Sequence, residues 1–184
     1  YEIAQCLVGS EMCIRDRFLF ISMALLLACV AWAQNDSNDI VKVGDSMPAF
    51  IIVHDNGTQV ASSSFKGKVI LVNLFATWCP PCQKELAAVK DQLWPKYKDN
   101  KDFVMLVIGR EHTDADLKKY NEKKGFSFPL YPDKNRAIFN AFAKNLIPRS
   151  YLIGKDGKVI YTSKGYTDQE FAELMNQIEG ALKK

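Results

Sequence analysis

An apolar run at residues 69–75 ends shortly before a Cys-Pro-Pro-Cys motif at 79–82. Only Asn73 interrupts the run, which is too short for an independent helix and is typical of a strand buried on both faces. The two prolines fit the first turn of a helix, because a missing N–H has no intrahelical partner to lose there. The stretch therefore predicts a buried strand that leads directly into a helix, with two cysteines at the junction.

The position of Cys79 at this junction predicts a reactive sulfur. The N-terminal end of a helix carries a partial positive charge, which favours the thiolate over the thiol. A thiolate is the form that attacks disulfides. The leading interpretation of the motif is therefore a site of disulfide exchange.

The N-terminal segment has the three parts of a secretory signal peptide. Residues 18–33 are almost entirely apolar, Arg15 and Arg17 precede them, and the run ends in Ala-Trp-Ala, a sequence suited to cleavage. The first eleven residues fit no such leader and are interpreted as non-native flanking sequence. We therefore expect residues 1–33 to be removed and the protein to be periplasmic or otherwise exported.

A second processing route involves Cys29. The sequence Leu-Leu-Ala-Cys at 26–29 resembles a lipoprotein box, and lipidation of Cys29 would anchor the protein to a membrane. The apolar residues that follow are atypical of a lipoprotein, so this route is the alternative. Residues 34–42 are interpreted as a flexible tether and residues 43–184 as one folded domain.

Cleavage after Ala33 would leave Cys79 and Cys82 as the only cysteines of the mature chain. A disulfide between them closes a very small ring and so stabilises the fold little through chain entropy. We infer that the pair is present for chemistry.

The rest of the chain predicts an α/β domain. Short apolar runs bounded by turns predict strands over 50–53, 59–61, 103–108, 126–130, 147–153 and 158–161. Helical spacing of apolar residues and a capping box predict helices after Cys82, over 114–124, over 135–144 and from Thr167 onwards. Pro95 is expected to end or kink the first of these helices. Strands alternating with helices predict a mixed sheet covered on both faces.

Two motifs together resemble the thioredoxin superfamily. Trp78 with Cys-Pro-Pro-Cys follows a buried strand, and Ile147-Pro148 precedes the late hairpin. The N-terminal β-hairpin, an extra strand-helix insertion near 103–124 and the leader narrow the resemblance to the exported TlpA/ResA-like thiol-disulfide oxidoreductases. The resemblance implies a thioredoxin-like mixed β-sheet flanked by helices on both faces. It also implies no cofactor beyond the redox-active Cys79–Cys82 disulfide.

The resemblance implies roles for individual residues. In this group the first cysteine attacks, the second resolves the mixed disulfide, and the later proline is cis and faces the dithiol; these positions are Cys79, Cys82 and Pro148. We accordingly expect Cys79 to be exposed and Cys82 to be more buried. Ile147 could then offer backbone groups to an extended substrate peptide.

Glu85 is the candidate proton acceptor for Cys82. Thioredoxins proper carry a buried acid six residues before the first cysteine, where this chain has Asn73, which cannot take a proton and is interpreted as structural. Glu85 lies three residues after Cys82, on the same helix face, and matches a glutamate of ResA-like proteins. The alternative is a solvated helix carboxylate.

Trp78, Pro80 and Arg149 complete the candidate substrate-binding residues, with Ile147 and Pro148. Trp78 is expected to shield the dithiol and shape the docking surface, although a core position is the alternative. Arg149 follows the cis proline and is expected to contact substrate or to raise the positive potential near Cys79. The other side chains weighed for a role are interpreted as structural or without chemistry: His54, Glu111 and His112.

The direction of exchange is predicted from the two prolines. Pro80 and Pro81 remove two N–H donors near the Cys79 sulfur, which makes the thiolate less stable and the dithiol a better reductant. We expect a reductase of disulfides in exported proteins, in cytochrome c maturation or general thiol redox, supplied by a membrane thiol electron donor. A disulfide oxidase or isomerase is the alternative.

Functions of other classes fit the sequence less well. The lysines are scattered and form no basic stripe with aromatics, so nucleic-acid binding is not expected. The Pro-x-x-x-Thr/Ser-x-x-Cys pattern of thiol peroxidases is absent. One Cys-x-x-Cys motif supplies two ligands, which is too few for a closed zinc site. A non-enzymatic copper(I) carrier needs fewer ligands and remains an alternative.

Overall fold

The computed structural model describes residues 39–184; the predicted leader, Cys29 and the first part of the predicted tether lie outside the described residues. The strands are β1 (Ile51–Val53), β2 (Gln59–Ala61), β3 (Val69–Phe75), β4 (Phe103–Arg110), β5 (Leu130–Asp133), β6 (Arg149–Ile153) and β7 (Val159–Lys164). The helices are α1 (Pro80–Ala88), α2 (Trp94–Tyr97), α3 (Asp114–Lys124), α4 (Ala137–Phe142) and α5 (Asp168–Leu182). Within this range, none of the helices has the length and apolar character needed to cross a membrane.

Five strands form a mixed sheet in the order β5-β4-β3-β6-β7. Strands β3, β4 and β5 are parallel, whereas β6 runs antiparallel to β3 and to β7. Helices α1, α3 and α5 pack on one face. Helix α4 and the separate β1–β2 hairpin pack on the other. The predicted thioredoxin-like mixed sheet with helices on both faces and an N-terminal hairpin is confirmed.

Strand β3 lies at the centre of this sheet, and all seven of its residues are buried. Because successive side chains of a strand point to opposite faces, Val69 and Leu71 contact the α1 and α5 layer while Ile70 and Val72 contact the α4 layer. The same alternation places Asn73 on the α1 side. The polar residue of the central strand thus faces the helix that carries the two cysteines.

The helix that follows the cysteines changes type before Pro95. A π-helical segment, Val89–Leu93, separates α1 from α2, and Pro95 lies in the first turn of α2. Backbone angles stay in the right-handed helical region across both boundaries, so the missing Pro95 N–H falls within a continuous helical stretch, where π-helical segments commonly accompany bends. An end or a kink is predicted at Pro95; the structure instead has this change in helix type just before it, and the helix continues to Tyr97.

The strand predicted at 126–130 is wrong in position. The extended pairing occurs at β5, four residues long, because only these residues lie beside the end of β4. Phe126 and Phe128 instead bury their rings against each other, with centroids 4.7 Å apart. The predicted strand-helix insertion corresponds to β4 and α3, but β4 is interior to the sheet and β5 is the edge strand beside it.

The last residues of the predicted tether pack onto the domain. Val41 is buried, and the N–H groups of Ile40 and Val41 donate to the carbonyl oxygen of Phe142 at 3.2 and 3.1 Å. The Asp39 carboxylate bonds to the buried guanidinium of Arg149. The described part of the predicted tether, residues 39–42, is therefore packed rather than flexible, because these contacts compensate the entropy lost on ordering the segment.

Candidate active site

A disulfide between Cys79 and Cys82 lies at the start of α1, directly after β3 and a short loop. Cys79 is the N-cap residue, and its Sγ accepts the Cys82 N–H at 3.3 Å. Pro80 and Pro81 have no N–H to offer the sulfur. The positive end of α1 and the Cys82 amide are thus the groups that favour negative charge on Cys79 Sγ.

Access to the two cysteines is unequal. Cys79 is 4% exposed and Cys82 is fully buried. The order is the predicted one, but the expectation of an exposed nucleophile is wrong, because Cys79 is packed into the hydrophobic cluster on the α1 side of the sheet. An incoming thiolate can therefore reach the disulfide only at the sulfur of Cys79. In the dithiol, Cys79 is likewise the sulfur that can attack a partner.

The Ile147–Pro148 peptide bond is cis, as expected, and brings its loop against the disulfide. The Ile147 carbonyl oxygen lies 3.8 Å from Cys79 Sγ. In the disulfide the sulfur has no proton to donate, so this is a contact; in the dithiol the Cys79 S–H could donate to the same oxygen. Strand β6 begins at the next residue and is hydrogen-bonded to β3, which fixes the two segments relative to each other.

Trp78 lies at the surface beside the disulfide. Its side chain is 59% exposed, which contradicts the core alternative. The Arg110 guanidinium lies 5.3 Å from the centre of its ring, within the range of a cation–π interaction. The indole is thus available to another molecule at the mouth of the site.

Arg149 does not face this surface. Its side chain is 1% exposed and pairs with Asp39, and its Nε donates to the carbonyl oxygens of Asn145 at 2.9 Å and Leu146 at 3.3 Å. The prediction that Arg149 contacts substrate or charges the surroundings of Cys79 is therefore wrong. On β6 its side chain points to the α4 face, where it shares the Asp39 carboxylate with Lys164.

Glu85 is a buried residue of α1 whose carboxyl group is hydrogen-bonded to Asn73 and Ser150. Asn73 Nδ2 donates to its Oε2 at 2.8 Å, and the Ser150 hydroxyl lies 3.1 Å from its Oε1. The residue is 3% exposed, and burial raises the pKa of Glu85 to about 7, although the Asn73 and Ser150 hydrogen bonds oppose the shift. The solvated alternative is contradicted. A carboxyl with this pKa can exchange a proton near neutral pH.

Ser150 belongs to this group and was missed by the sequence analysis. It pairs with Asn73 across the β3–β6 ladder, and Asn73 Nδ2 also donates to its hydroxyl at 3.0 Å. The sequence offered one indication of this role: Ser150 is a polar residue in a strand that is predicted to be buried. Recognising it required the register of two strands far apart in sequence.

His112 supports the loop that leads to Cys79. Its Nε2 accepts the Thr77 N–H at 2.9 Å, and burial lowers the pKa of His112, which favours the neutral form that can accept. Glu111 pairs with Arg110 instead. His54 bonds the Asp114 carboxylate at 3.0 Å, away from the cysteines. Among residues 39–184, no group of three or more potential ligand side chains is placed to hold a metal ion.

Residues 42–178 match the model of the Redoxin family, which is well over half of the chain. The chain belongs to the Redoxin family. Among curated relatives of this Redoxin-family chain is the thiol-disulfide oxidoreductase ResA of Bacillus thuringiensis subsp. konkukian. The two are 31% identical over 176 residues, which cover 92% of this chain and 97% of that protein.

Solved structures agree with this assignment. A Bacteroides thetaiotaomicron protein, proposed to be a protein disulfide isomerase, superimposes with a TM-score of 0.75 and 34% identity, covering 80% of this chain and 94% of that one. A thiol:disulfide interchange protein of the thioredoxin family from Chlorobium tepidum gives 0.63 and 26%, covering 77% and 98%. This Redoxin-family chain is a thiol-disulfide oxidoreductase with a thioredoxin-like fold.

Proposed function

We propose that the protein reduces disulfides in exported proteins through the Cys79–Cys82 pair. The observation that carries the proposal is the disulfide at the N-terminus of α1, with one slightly accessible sulfur held against the cis-proline loop. Such a sulfur can exchange with a second disulfide only if the partner docks on this loop. Export is supported by the leader pattern in the sequence.

The reaction proceeds in two exchanges. The Cys79 thiolate attacks one sulfur of the substrate disulfide, the substrate S–S bond breaks, and the other substrate sulfur leaves as a thiolate. Cys82 then gives up its proton and attacks Cys79 Sγ, which releases the second substrate thiolate and forms the Cys79–Cys82 disulfide. A membrane thiol donor returns two electrons by the same chemistry in reverse.

Glu85 is assigned as the group that receives the Cys82 proton. Both residues lie on α1, one helical turn apart, and both are shielded from solvent. A pKa of about 7 lets Glu85 be ionised before the transfer and protonated after it. Asn73 and Ser150 hold the carboxyl in place from β3 and β6.

The backbone donors around Cys79 support reduction over oxidation. With Pro80 and Pro81 lacking N–H groups, the Cys82 amide is the backbone donor that contacts Cys79 Sγ in this turn. Fewer donors leave the thiolate less stabilised, which favours the disulfide form of the pair and makes the dithiol a stronger reductant. The isomerase alternative has the support of the Bacteroides thetaiotaomicron relative, for which that activity is proposed.

Insulin reduction tests the proposal. With dithiothreitol as donor, wild-type protein is expected to accelerate the reduction of insulin disulfides, and Cys79→Ser is expected to abolish the acceleration. The counter-assay is the oxidation of reduced, unfolded ribonuclease by the disulfide form. Efficient oxidation or reshuffling of ribonuclease without insulin reduction would contradict the proposed direction and favour the alternative.

A further inference from the structure

Leu146 has a backbone conformation that leucine rarely adopts. Its φ is 63°, in the left-handed region, where a Cβ crowds the following carbonyl group. Among residues 39–184, the other positions with positive φ are six glycines, Glu111 and Arg136. Leu146 is thus the one apolar side chain in the described chain that is held in this conformation.

The side chain of Leu146 takes no part in the hydrophobic core. It is 56% exposed and belongs to neither hydrophobic core cluster. Glu111 and Arg136, by contrast, reach each other at 3.8 Å as an ion pair. A strained backbone that persists without a structural benefit commonly marks a functional position.

The location of Leu146 next to the disulfide site indicates a role in binding substrate. It precedes Ile147, whose carbonyl oxygen contacts Cys79 Sγ at 3.8 Å, and consecutive Cα atoms are only about 3.8 Å apart. Trp78 precedes Cys79 itself and is 59% exposed. Each of the two segments that form the site therefore carries a large exposed apolar residue one position away from the contact between Ile147 and Cys79. The other exposed large apolar residues of the described chain are Ile40, Val43, Ile51 and Val53.

Arg149 enforces the conformation of this loop. Its guanidinium is buried, and its Nε donates to the carbonyl oxygens of Asn145 and Leu146. The Asp39 carboxylate, which also pairs with Lys164, bonds to the same guanidinium. A fixed cation that binds two successive carbonyl groups holds the backbone between them, here that of Leu146, in a single conformation. The exposed leucine side chain therefore keeps one orientation at the surface.

We propose that Leu146 determines substrate specificity by contacting a large apolar side chain next to the reacting cysteine of an extended peptide. Trp78 contacts the same peptide from the other side of the disulfide. The inference rests on the proposed function, because it requires a peptide disulfide to approach Cys79. Arg149 is a positioning residue in this arrangement and does not touch the substrate.

The test compares two short peptides, each with one cysteine activated as a mixed disulfide with thionitrobenzoate. One peptide has leucine beside the cysteine and the other has serine. Reduced wild-type protein is expected to release thionitrobenzoate about tenfold faster from the leucine peptide, since burying part of a leucine contributes on the order of a tenfold preference. Leu146→Gly and Leu146→Asn are expected to bring the ratio close to one, and Leu146→Met to retain it.

Thermal unfolding separates specificity from a structural role. Glycine and asparagine tolerate the left-handed conformation, so both variants are expected to melt at or above the wild-type temperature. The matched control is Val53→Ser, an equally exposed apolar position outside the site, which should leave the peptide ratio unchanged.

Two outcomes would overturn the inference: a peptide ratio unchanged in Leu146→Gly and Leu146→Asn, or a lower melting temperature in both. Failure of the proposed function would look different. In that case the wild-type protein would fail to accelerate insulin reduction, whatever the ratio between the two peptides.

Discussion

Cys82→Ser is expected to accumulate mixed disulfides with substrate proteins and to lose catalytic turnover. Cys79 remains the sulfur with access to solvent and can still attack, but no second thiol is present to release the bound substrate. The measurement is non-reducing electrophoresis of the tagged variant recovered from exporting cells. The trapped partners, identified by mass spectrometry, would also name the substrates.

Cys79→Ser is the matched control for this trap. Cys82 is fully buried, so its thiol cannot reach a docked protein and few covalent complexes should form. If Cys79→Ser trapped partners and Cys82→Ser did not, the attacking and resolving roles would be reversed.

Glu85→Gln is expected to make the protein more stable in alkaline solution. Burial raises the pKa of Glu85 from 4.5 to about 7, so the folded protein binds this proton more tightly than the unfolded chain does. The resulting stabilisation is complete below pH 4.5 and is lost as the pH rises through about 7. A shift of this size corresponds to about 3 kcal/mol. Glutamine cannot ionise and so avoids the loss.

Urea unfolding at two pH values measures this effect. Near about pH 4 the variant and wild type should differ little, whereas near about pH 8.5 the variant should be more stable by about 3 kcal/mol. Glu173→Gln, at an exposed position of α5, should follow the wild-type pH dependence. Equal stabilities of wild type and Glu85→Gln at both pH values would show that Glu85 is not buried as described.

The same substitution separates a chemical role of Glu85 from a structural one. If Glu85 receives the Cys82 proton, Glu85→Gln should slow the release of substrate from the mixed disulfide by about 100-fold, the lower range for general base catalysis. Formation of the mixed disulfide by Cys79 should change much less. A purely structural Glu85 would alter stability without lengthening the lifetime of the mixed disulfide.

Local sequence patterns predicted the framework of the site well. The apolar run of β3, the paired prolines and the cysteine spacing indicate the strand-to-helix junction through short-range chemistry alone. The cis conformation at Pro148 came from the family resemblance and is present. The place of Glu85 on the inner helix face also followed from helical spacing, although its burial and pKa did not.

The errors arose where side chains depend on partners distant in sequence. Arg149 was assigned to the surface beside the cis proline, but its partner Asp39 lies 110 residues away and turns the guanidinium inward. Ser150 acquires its role only through the register of β6 on β3. The left-handed conformation of Leu146 has no counterpart in local propensity, and the contact of Arg149 with the carbonyl groups of Asn145 and Leu146 forms only in the folded chain.

The equilibrium redox potential of the Cys79–Cys82 pair tests the central claim most directly. The protein would be equilibrated in glutathione and dithiothreitol buffers and the fraction of dithiol determined by thiol alkylation. A reductant is expected to titrate near the potential of thioredoxin, about −270 mV. A value near that of a dedicated disulfide-forming oxidase, about −120 mV, would contradict the claim that this pair reduces disulfides in exported proteins.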